Sequence, residues 1–372
     1  MFFYVQGGEK MRITVKIGSS SLTNVNGEID KEKMIEHVQA IAELKKRGYE
    51  VMLVSSGAVA SGFKQLNYAT RPTTVKGKQA AAAVGQSLLI KTYIELFHYF
   101  DIIPAQILLT RDDFTNPKSF NHIFNTITEL LERGVVPIIN ENDTVSIAEL
   151  TFGDNDLLSA YVAGFLHADQ LIILTDINGI YSANPSQDPT AVKYDKITEL
   201  TPELFGQTTS EGSSLGTGGM KSKLYAAEVA GELGVACFIG RGESKDKLTD
   251  IVDGHGDGTY IQLDVEKSMT KKRQWVALHA EPAGTIIVDE GAKEALMNRG
   301  KSLLPVGVTR VEGDFSAGDV VNVYCGDELI GKGRVAYDAK TLMGYKEESG
   351  ETKEIIHRDE WVQIGGILHG ND

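Results

Sequence analysis

The sequence lacks several features that would have narrowed its function. It holds two cysteines, Cys237 and Cys325, among 372 residues. That is too few for a disulfide framework and fits a reducing cytoplasm. No apolar run approaches the ~20 residues of a membrane span. Positive charge is in deficit, with 37 Lys+Arg against 51 Asp+Glu and a net charge of −14. A general binder of nucleic acid or anionic membrane needs concentrated basic surface, so neither is the expected role. The eight histidines have no metal-ligand spacing, and H-E-x-x-H and C-x-x-C are absent, which argues against zinc. The P-loop spacing G-x-x-x-x-G-K-[ST] is absent, and no G-x-G-x-x-G follows the first apolar run. Ser56-Gly57 is not a G-x-S-x-G nucleophile elbow. Met1–Lys10 has neither the basic start nor the long apolar segment of a secretory signal. It is expected to be an extension, with Met11 as a candidate start.

What is present is ordinary globular composition, 42% hydrophobic and 24% charged, at a length that suits two domains. Over roughly the first 260 residues, short unbroken apolar runs alternate with helical patterns. The runs are Arg12–Ile17, Val51–Val54, Ile102–Leu109, Val135–Ile139, Leu171–Leu174 and Val235–Ile239. Unbroken runs suit strands buried on both faces of a parallel sheet. One helix is predicted after a cap at Asp30, with Ile35, Val38, Ile41, Ala42 and Leu44 apolar and Lys45, Lys46, Arg47 and Gly48 at its end. Another carries Phe120, Ile123, Phe124, Ile127, Leu130 and Leu131, with Gly134 beyond. The fold class is therefore α/β, a mostly parallel sheet sandwiched by helices. The expected domains are 1–265, with 1–10 as the extension, a charged linker at 266–274, and a small β-rich domain at 275–365. The last is built from Thr285–Val288, Val306–Val311, Val320–Tyr324, Leu329–Ala336 and Glu354–Ile356, interrupted by a helix over Glu290–Arg299.

Polar residues gather after the strands. The first run ends in Lys16-Ile17-Gly18-Ser19-Ser20-Ser21, the second in Ser55-Ser56-Gly57, the third at Thr110, the fourth in Asn140-Glu141-Asn142-Asp143-Thr144 and the fifth in Thr175-Asp176. Ser, Asn, Asp and Gly dominate ordinary turns, so one such loop says little. Five at one sheet edge point to a ligand site, because open parallel sheets bind ligands outside the carboxyl ends of their strands. Lys16 lies within an apolar strand, a costly place for a lysine that meets no anion. Ser213–Lys223 places three glycines before Lys221 and Lys223 and then opens a helix, an arrangement that suits a phosphate. Gly153-Asp154-Asn155-Asp156 opens a further helix. Asp154 there reads as an N-cap, and the two carboxylates could also orient the lysines or hold Mg²⁺. Asp143 and Asn155 suit a zwitterionic ligand.

These segments, with Val54-Ser55-Ser56-Gly57-Ala58-Val59, Ile139-Asn140-Glu141-Asn142-Asp143 and Gly216-Thr217-Gly218-Gly219-Met220, resemble the amino acid kinase family. The part from Trp275 onward resembles a PUA domain, through Gly284–Gly291 and Ser302–Gly307. The resemblance runs from about Arg12 to Gln363. It implies ATP-dependent phosphorylation of the γ-carboxylate of L-glutamate, giving glutamyl 5-phosphate, the first step toward proline. By position it implies Lys16 and Lys223 beside the transferred phosphoryl group and Asp156 orienting both. It implies Ser56, Asp143 and Asn155 on glutamate. For ATP it implies Lys16, Thr175, Asp176 and the segment Thr217, Gly218, Gly219, Met220, Lys221, Ser222 and Lys223. The sequence has Lys221 where a small polar residue is expected, though Lys223 matches best. Mg²⁺ is expected with ATP. The resemblance also implies a cytoplasmic homo-oligomer inhibited by proline.

Aspartate, N-acetylglutamate or a nucleoside monophosphate would be alternative substrates of the same fold. RNA binding through the PUA domain is a rival from another class. The segment from Trp275 onward holds 10 basic and 17 acidic residues, which disfavours it.

Overall fold

The computed structural model describes residues 10–24, 28–115, 117–145, 155–183, 185, 188, 190–207, 219–242, 245–263, 282–297, 299–344 and 354–363. It divides into two compact units. One comprises Met1–Thr115 and His122–Ser268, the other Asn116–Asn121 and Met269–Asp372. The expected linker 266–274 and Trp275 lie outside the described residues.

In the first unit the strands are β1 (Arg12–Ile17), β2 (Glu50–Ser55), β3 (Pro104–Leu109), β4 (Val136–Glu141), β5 (Gln170–Leu174), β6 (Ile180–Tyr181), β7 (Lys193–Tyr194), β8 (Lys196–Ile197), β9 (Ala236–Gly240) and β10 (Gly258–Ile261). Among the described residues, eight of them form one sheet in the order β3-β4-β2-β1-β5-β9-β10-β8, while β6 and β7 pair separately. Every neighbouring pair in the large sheet is parallel except β9–β10. Apart from its first residue β1 is buried, and β4 and β5 are buried throughout. This is why their sequences run unbroken and do not alternate.

The helices of this unit are α1 (Lys31–Lys46), α2 (Ala58–Gly62), α3 (Val75–His98), α4 (Arg111–Thr115), α5 (Pro117–Glu132, of which His122 onward belongs to this unit), α6 (Asn155–Phe165), α7 (Pro202–Gln207), α8 (Met220–Glu232) and α9 (Lys247–Val252). Asp30 caps α1 by accepting a hydrogen bond from Lys33 N at 3.2 Å. The cap contributes about 1 kcal/mol. Met34, Val38, Ile41 and Leu44 are fully buried against β1 and β2, at about 1.5–3 kcal/mol each, so packing and not capping decides this helix. The chain leaves α1 through Gly48 at φ +87°, as the sequence pattern requires.

Helix α3 is absent from the sequence-based reading. An apolar stripe, Leu89, Tyr93, Leu96 and Phe97, fills only the second half of its buried face; the first half is built of small residues, Gly77, Ala81, Ala82 and Gly85. These small residues permit close approach. A Cβ on Gly85 would stand 1.8 Å from Ala58 O, and one on Gly62 would stand 2.0 Å from Ala81 O, so α2 and α3 meet backbone to backbone.

In the second unit, strands β11 (Gly284–Val288), β12 (Val308–Gly313), β13 (Val320–Cys325), β14 (Glu328–Arg334) and β15 (Trp361–Gln363) form a sheet in the order β12-β11-β13-β14-β15. The helix expected over Glu290–Arg299 spans Glu290–Met297. The expected strand Glu354–Ile356 is corrected: Ile356 makes only an isolated bridge to Leu303, and the fifth strand is Trp361–Gln363. Trp361 packs over Gly331, where a Cβ would lie 2.4 Å from the indole ring. Ile355 and Ile356 are buried in the core of the unit, so their apolarity reflects packing without a ladder.

Candidate active site

Lys16 is the fifth of six residues of β1, between the fully buried Val15 and Ile17, and is 5% exposed. Its Nζ lies 3.7 Å from where a Cβ on Gly18 would be, so the side chain runs toward the carboxyl edge of the sheet. There it meets Oδ1 of Asp156, a fully buried carboxylate in the first turn of α6. Lys223 Nζ meets Oδ2 of the same carboxylate at 3.1 Å from the first turn of α8. Ser222 Oγ adds a contact to Oδ2 at 3.2 Å and another to Gly219 O at 2.8 Å. Burial works against the charge on Asp156, but Lys16 and then Lys223 outweigh it and hold its pKa below the ordinary carboxylate value. The group therefore places two lysines on one ionised carboxylate. Sharing a carboxylate also offsets the repulsion between the two cations.

Lys221 is exposed while Lys223 is buried. Two residues on a helix are separated by roughly 200°, so only one of the pair can turn toward Asp156. Gly219 is the extended N-cap of α8 and Met220 its first residue. Thr217 and Gly218, like Gly153 and Asp154, lie outside the described residues.

Next to Asp156, Asn155 opens a second network. Its Nδ2 donates to Ser55 O at 2.9 Å and to Asn140 Oδ1 at 2.7 Å. Both amide protons are thereby used, and the group of Asn155 left to meet a ligand is the acceptor Oδ1. Asn140 Oδ1 also accepts from Glu141 N at 2.9 Å, and its Nδ2 donates to Gln86 Oε1 on α3 at 2.8 Å. Ser55 Oγ and Tyr93 OH, also on α3, are 3.0 Å apart. Asp143 follows β4, and burial together with the nearby charge of Glu141 raises its pKa to about 6. Ser56 begins the turn after β2, where its N–H donates to Ile17 O at 3.0 Å and Gly57 takes φ +104° to start α2. A side chain at that φ is strained, so the turn depends on glycine.

Thr175 and Asp176 follow β5. Thr175 N donates to Gly240 O at 3.0 Å, Thr175 Oγ1 to Asp176 Oδ1 at 3.1 Å, and Arg241 Nε to Asp176 O at 2.7 Å. These bonds fix the β5 and β9 ends side by side. The residues singled out from sequence thus fall into three groups at one sheet edge: Lys16, Asp156, Ser222 and Lys223 in direct contact; Asn155 joined to the first by its neighbour Asp156; Thr175 and Asp176 on the β9 side. Asp143 and Ser56 belong to the same edge, with no hydrogen bond to the lysines described. No sequence motif marks Gln86 or Tyr93, because nothing in a helical pattern tells which polar side chain turns inward. Among the described residues no group of three or more His, Cys, Asp or Glu is arranged to hold a metal ion, and no helix is long and apolar enough to cross a membrane.

A sequence model of the amino acid kinase family matches residues 11–240, and one of the PUA domain matches 284–358. Glutamate 5-kinase 1 of Bacillus licheniformis is 57% identical over 362 residues, 96% of this chain and 99% of that protein. Glutamate 5-kinase 1 of Bacillus subtilis is 54% identical over the same share of each. Among solved structures, carbamate kinase from Giardia lamblia bound to AMP-PNP has a TM-score of 0.50 at 16% identity, covering 68% of this chain and 99% of that one, a likeness of fold.

Proposed function

The chain belongs to the glutamate 5-kinases within the amino acid kinase family, and from that premise we propose that it carries the γ-phosphoryl group of ATP to the side-chain carboxylate of L-glutamate. The products are glutamyl 5-phosphate and ADP, in the first step of proline biosynthesis. A carboxylate oxygen of glutamate forms the new P–O bond as the bond to the β-phosphate oxygen breaks. The nucleophile is ionised at neutral pH, so no general base is required. Positioning and charge stabilisation remain as the protein's task.

The observation that carries the reading is the buried group in which Lys16 and Lys223 share the Asp156 carboxylate. In this reading the two lysines flank the moving phosphoryl group, and Asp156 holds both in place before substrate arrives, so little reorganisation is needed in the transition state. Thr175, Asp176 and the segment Thr217–Lys223 hold ATP. Ser56, Asp143 and Asn155 hold glutamate. Asn155 has only an acceptor to offer and Asp143 is an acceptor when ionised, so both suit the substrate's ammonium. Mg²⁺ would be held chiefly by the phosphates of ATP. The kinase domain spans 1–265 and the PUA domain 275–365, in a cytoplasmic homo-oligomer inhibited by proline.

The test is to incubate the protein with MgATP, hydroxylamine and a panel of amino acids. Hydroxamate should form with glutamate. Formation with aspartate or N-acetylglutamate in its place would overturn the assignment. Sedimentation and a proline titration of the same assay test the assembly and the inhibition.

A further inference from the structure

The two groups that fix the amide of Asn155, Ser55 O and Asn140 Oδ1, belong to residues that helix α3 grips. Tyr93 OH meets Ser55 Oγ at 3.0 Å, and Gln86 Oε1 accepts from Asn140 Nδ2 at 2.8 Å. Gln86 and Tyr93 are two turns apart and so share one face of α3. Helix α3 is itself held against α2 by the backbone contact at Gly85, next to Gln86.

Gln86, Asn140 and Asn155 are all buried. An inward-facing amide is costly unless its groups are paired, so their bonds dictate which way each amide faces. Asn140 Oδ1 accepts from both Asn155 Nδ2 and Glu141 N. Reversing the Asn140 amide would set donor against donor at both contacts and leave Gln86 Oε1 facing another acceptor. Gln86 thus favours one sense of the Asn140 amide, and Asn140 the sense of Asn155 that offers Oδ1.

We propose that Gln86 is a positioning residue for substrate recognition, holding Asn140, and through it Asn155, in the one amide orientation that accepts a hydrogen bond from the substrate's ammonium. The proposal rests on the reading that Asn155 meets that ammonium. Gln86 touches no substrate; it acts through two buried amides.

The test compares a ligand with the amine and one without it. In Gln86→Met, which keeps length but loses the acceptor, the KM for L-glutamate should rise about tenfold, the scale of one buried donor left unpaired. The Ki of glutarate, which lacks the amine, and the KM for ATP should stay within twofold of wild type. Gln86→Glu keeps an acceptor and should retain most of the glutamate affinity. Asn140→Asp keeps an acceptor for Asn155 but cannot donate to Gln86. It reads the bond from its other end, should raise KM for glutamate likewise, and serves if Gln86→Met does not fold. A purely structural role would weaken glutarate and glutamate together. That result, an unchanged glutamate KM in both variants, or a Gln86→Glu as impaired as Gln86→Met would overturn the proposal. Failure of the wild-type protein to form glutamyl hydroxamate would instead sink the functional reading beneath it.

Discussion

Lys16 and Lys223 hold opposite oxygens of one buried carboxylate, that of Asp156, although they come from a strand and a helix far apart in the sequence. The arrangement divides labour between stability and catalysis. Asp156 makes two buried cations tolerable, and in the proposed reaction the cations face the moving phosphoryl group. Removing the carboxylate and removing a lysine should therefore have different signatures.

Asp156→Asn leaves two buried ammoniums against a neutral amide. Breaking a buried ion pair from one side typically costs about 3–5 kcal/mol. The variant should lose both thermal stability and turnover. Lys16→Ala leaves Asp156 paired with Lys223, so it should lower kcat by roughly 10²–10³-fold with a smaller loss of Tm. Calorimetry beside steady-state kinetics checks both; an unchanged kcat in Lys16→Ala removes that lysine from the mechanism.

Lys221 and Lys223 offer a second contrast within one helical turn. Lys223→Ala should reduce kcat by about 10²-fold or more, since its ammonium is buried on Asp156. Lys221 is exposed, and Lys221→Ala should change the KM for ATP by a few fold at low salt and less at high salt, as a screened surface charge does. Kinetics of the two variants at two ionic strengths separate these outcomes.

The raised pKa of Asp143, about 6, sets a pH limit on glutamate binding. Below that value the carboxyl is protonated and no longer complements an ammonium, so the KM for glutamate should climb as pH falls through 6, approaching tenfold per unit. The stability effect has the opposite sense. Its folded value lies above the ordinary 3.8, so the stability it contributes is greatest below that value and is lost as pH rises through about 6. Asp143→Asn should therefore raise Tm at neutral pH, raise the KM for glutamate and flatten the acid limb of the profile. A pH titration of KM with parallel melting curves decides it.

Much of this was legible in the sequence. Unbroken apolar runs revealed the buried strands because a sheet covered on both faces removes the polar alternation, and Lys16 stood out as a charge inside one of them. The polar strand ends pointed to the sheet edge where Lys16, Asp156 and Lys223 meet. What escaped notice depended on choices the pattern does not encode. Helix α3 begins its buried face with glycine and alanine, and the apolar stripe that follows, Leu89, Tyr93, Leu96 and Phe97, does not say which polar neighbour turns inward, so Gln86 had no visible context. Ile355 and Ile356 looked like a strand because burial alone makes a segment apolar, whereas the short β15 at Trp361–Gln363 carries too few residues to display a period.

The contact between α2 and α3 ties that unread helix to the site. A methyl group at position 85 would lie 1.8 Å from Ala58 O, against backbone that cannot swing aside as a side chain could. Gly85→Ala must therefore push the helices apart, although alanine is the better helix former by about 1 kcal/mol. Overpacking of this kind costs about 1–3 kcal/mol, so the balance favours a net loss and a Tm lower by several degrees. The displacement falls on the residue before Gln86 and on the first residue of α2, just past the Ser56-Gly57 turn. The KM for glutamate should accordingly rise while the KM for ATP, whose proposed contacts lie on β5 and α8, holds. A Gly85→Ala protein as stable as wild type, with both KM values unchanged, would show that α2 and α3 can separate without disturbing the substrate side of the sheet.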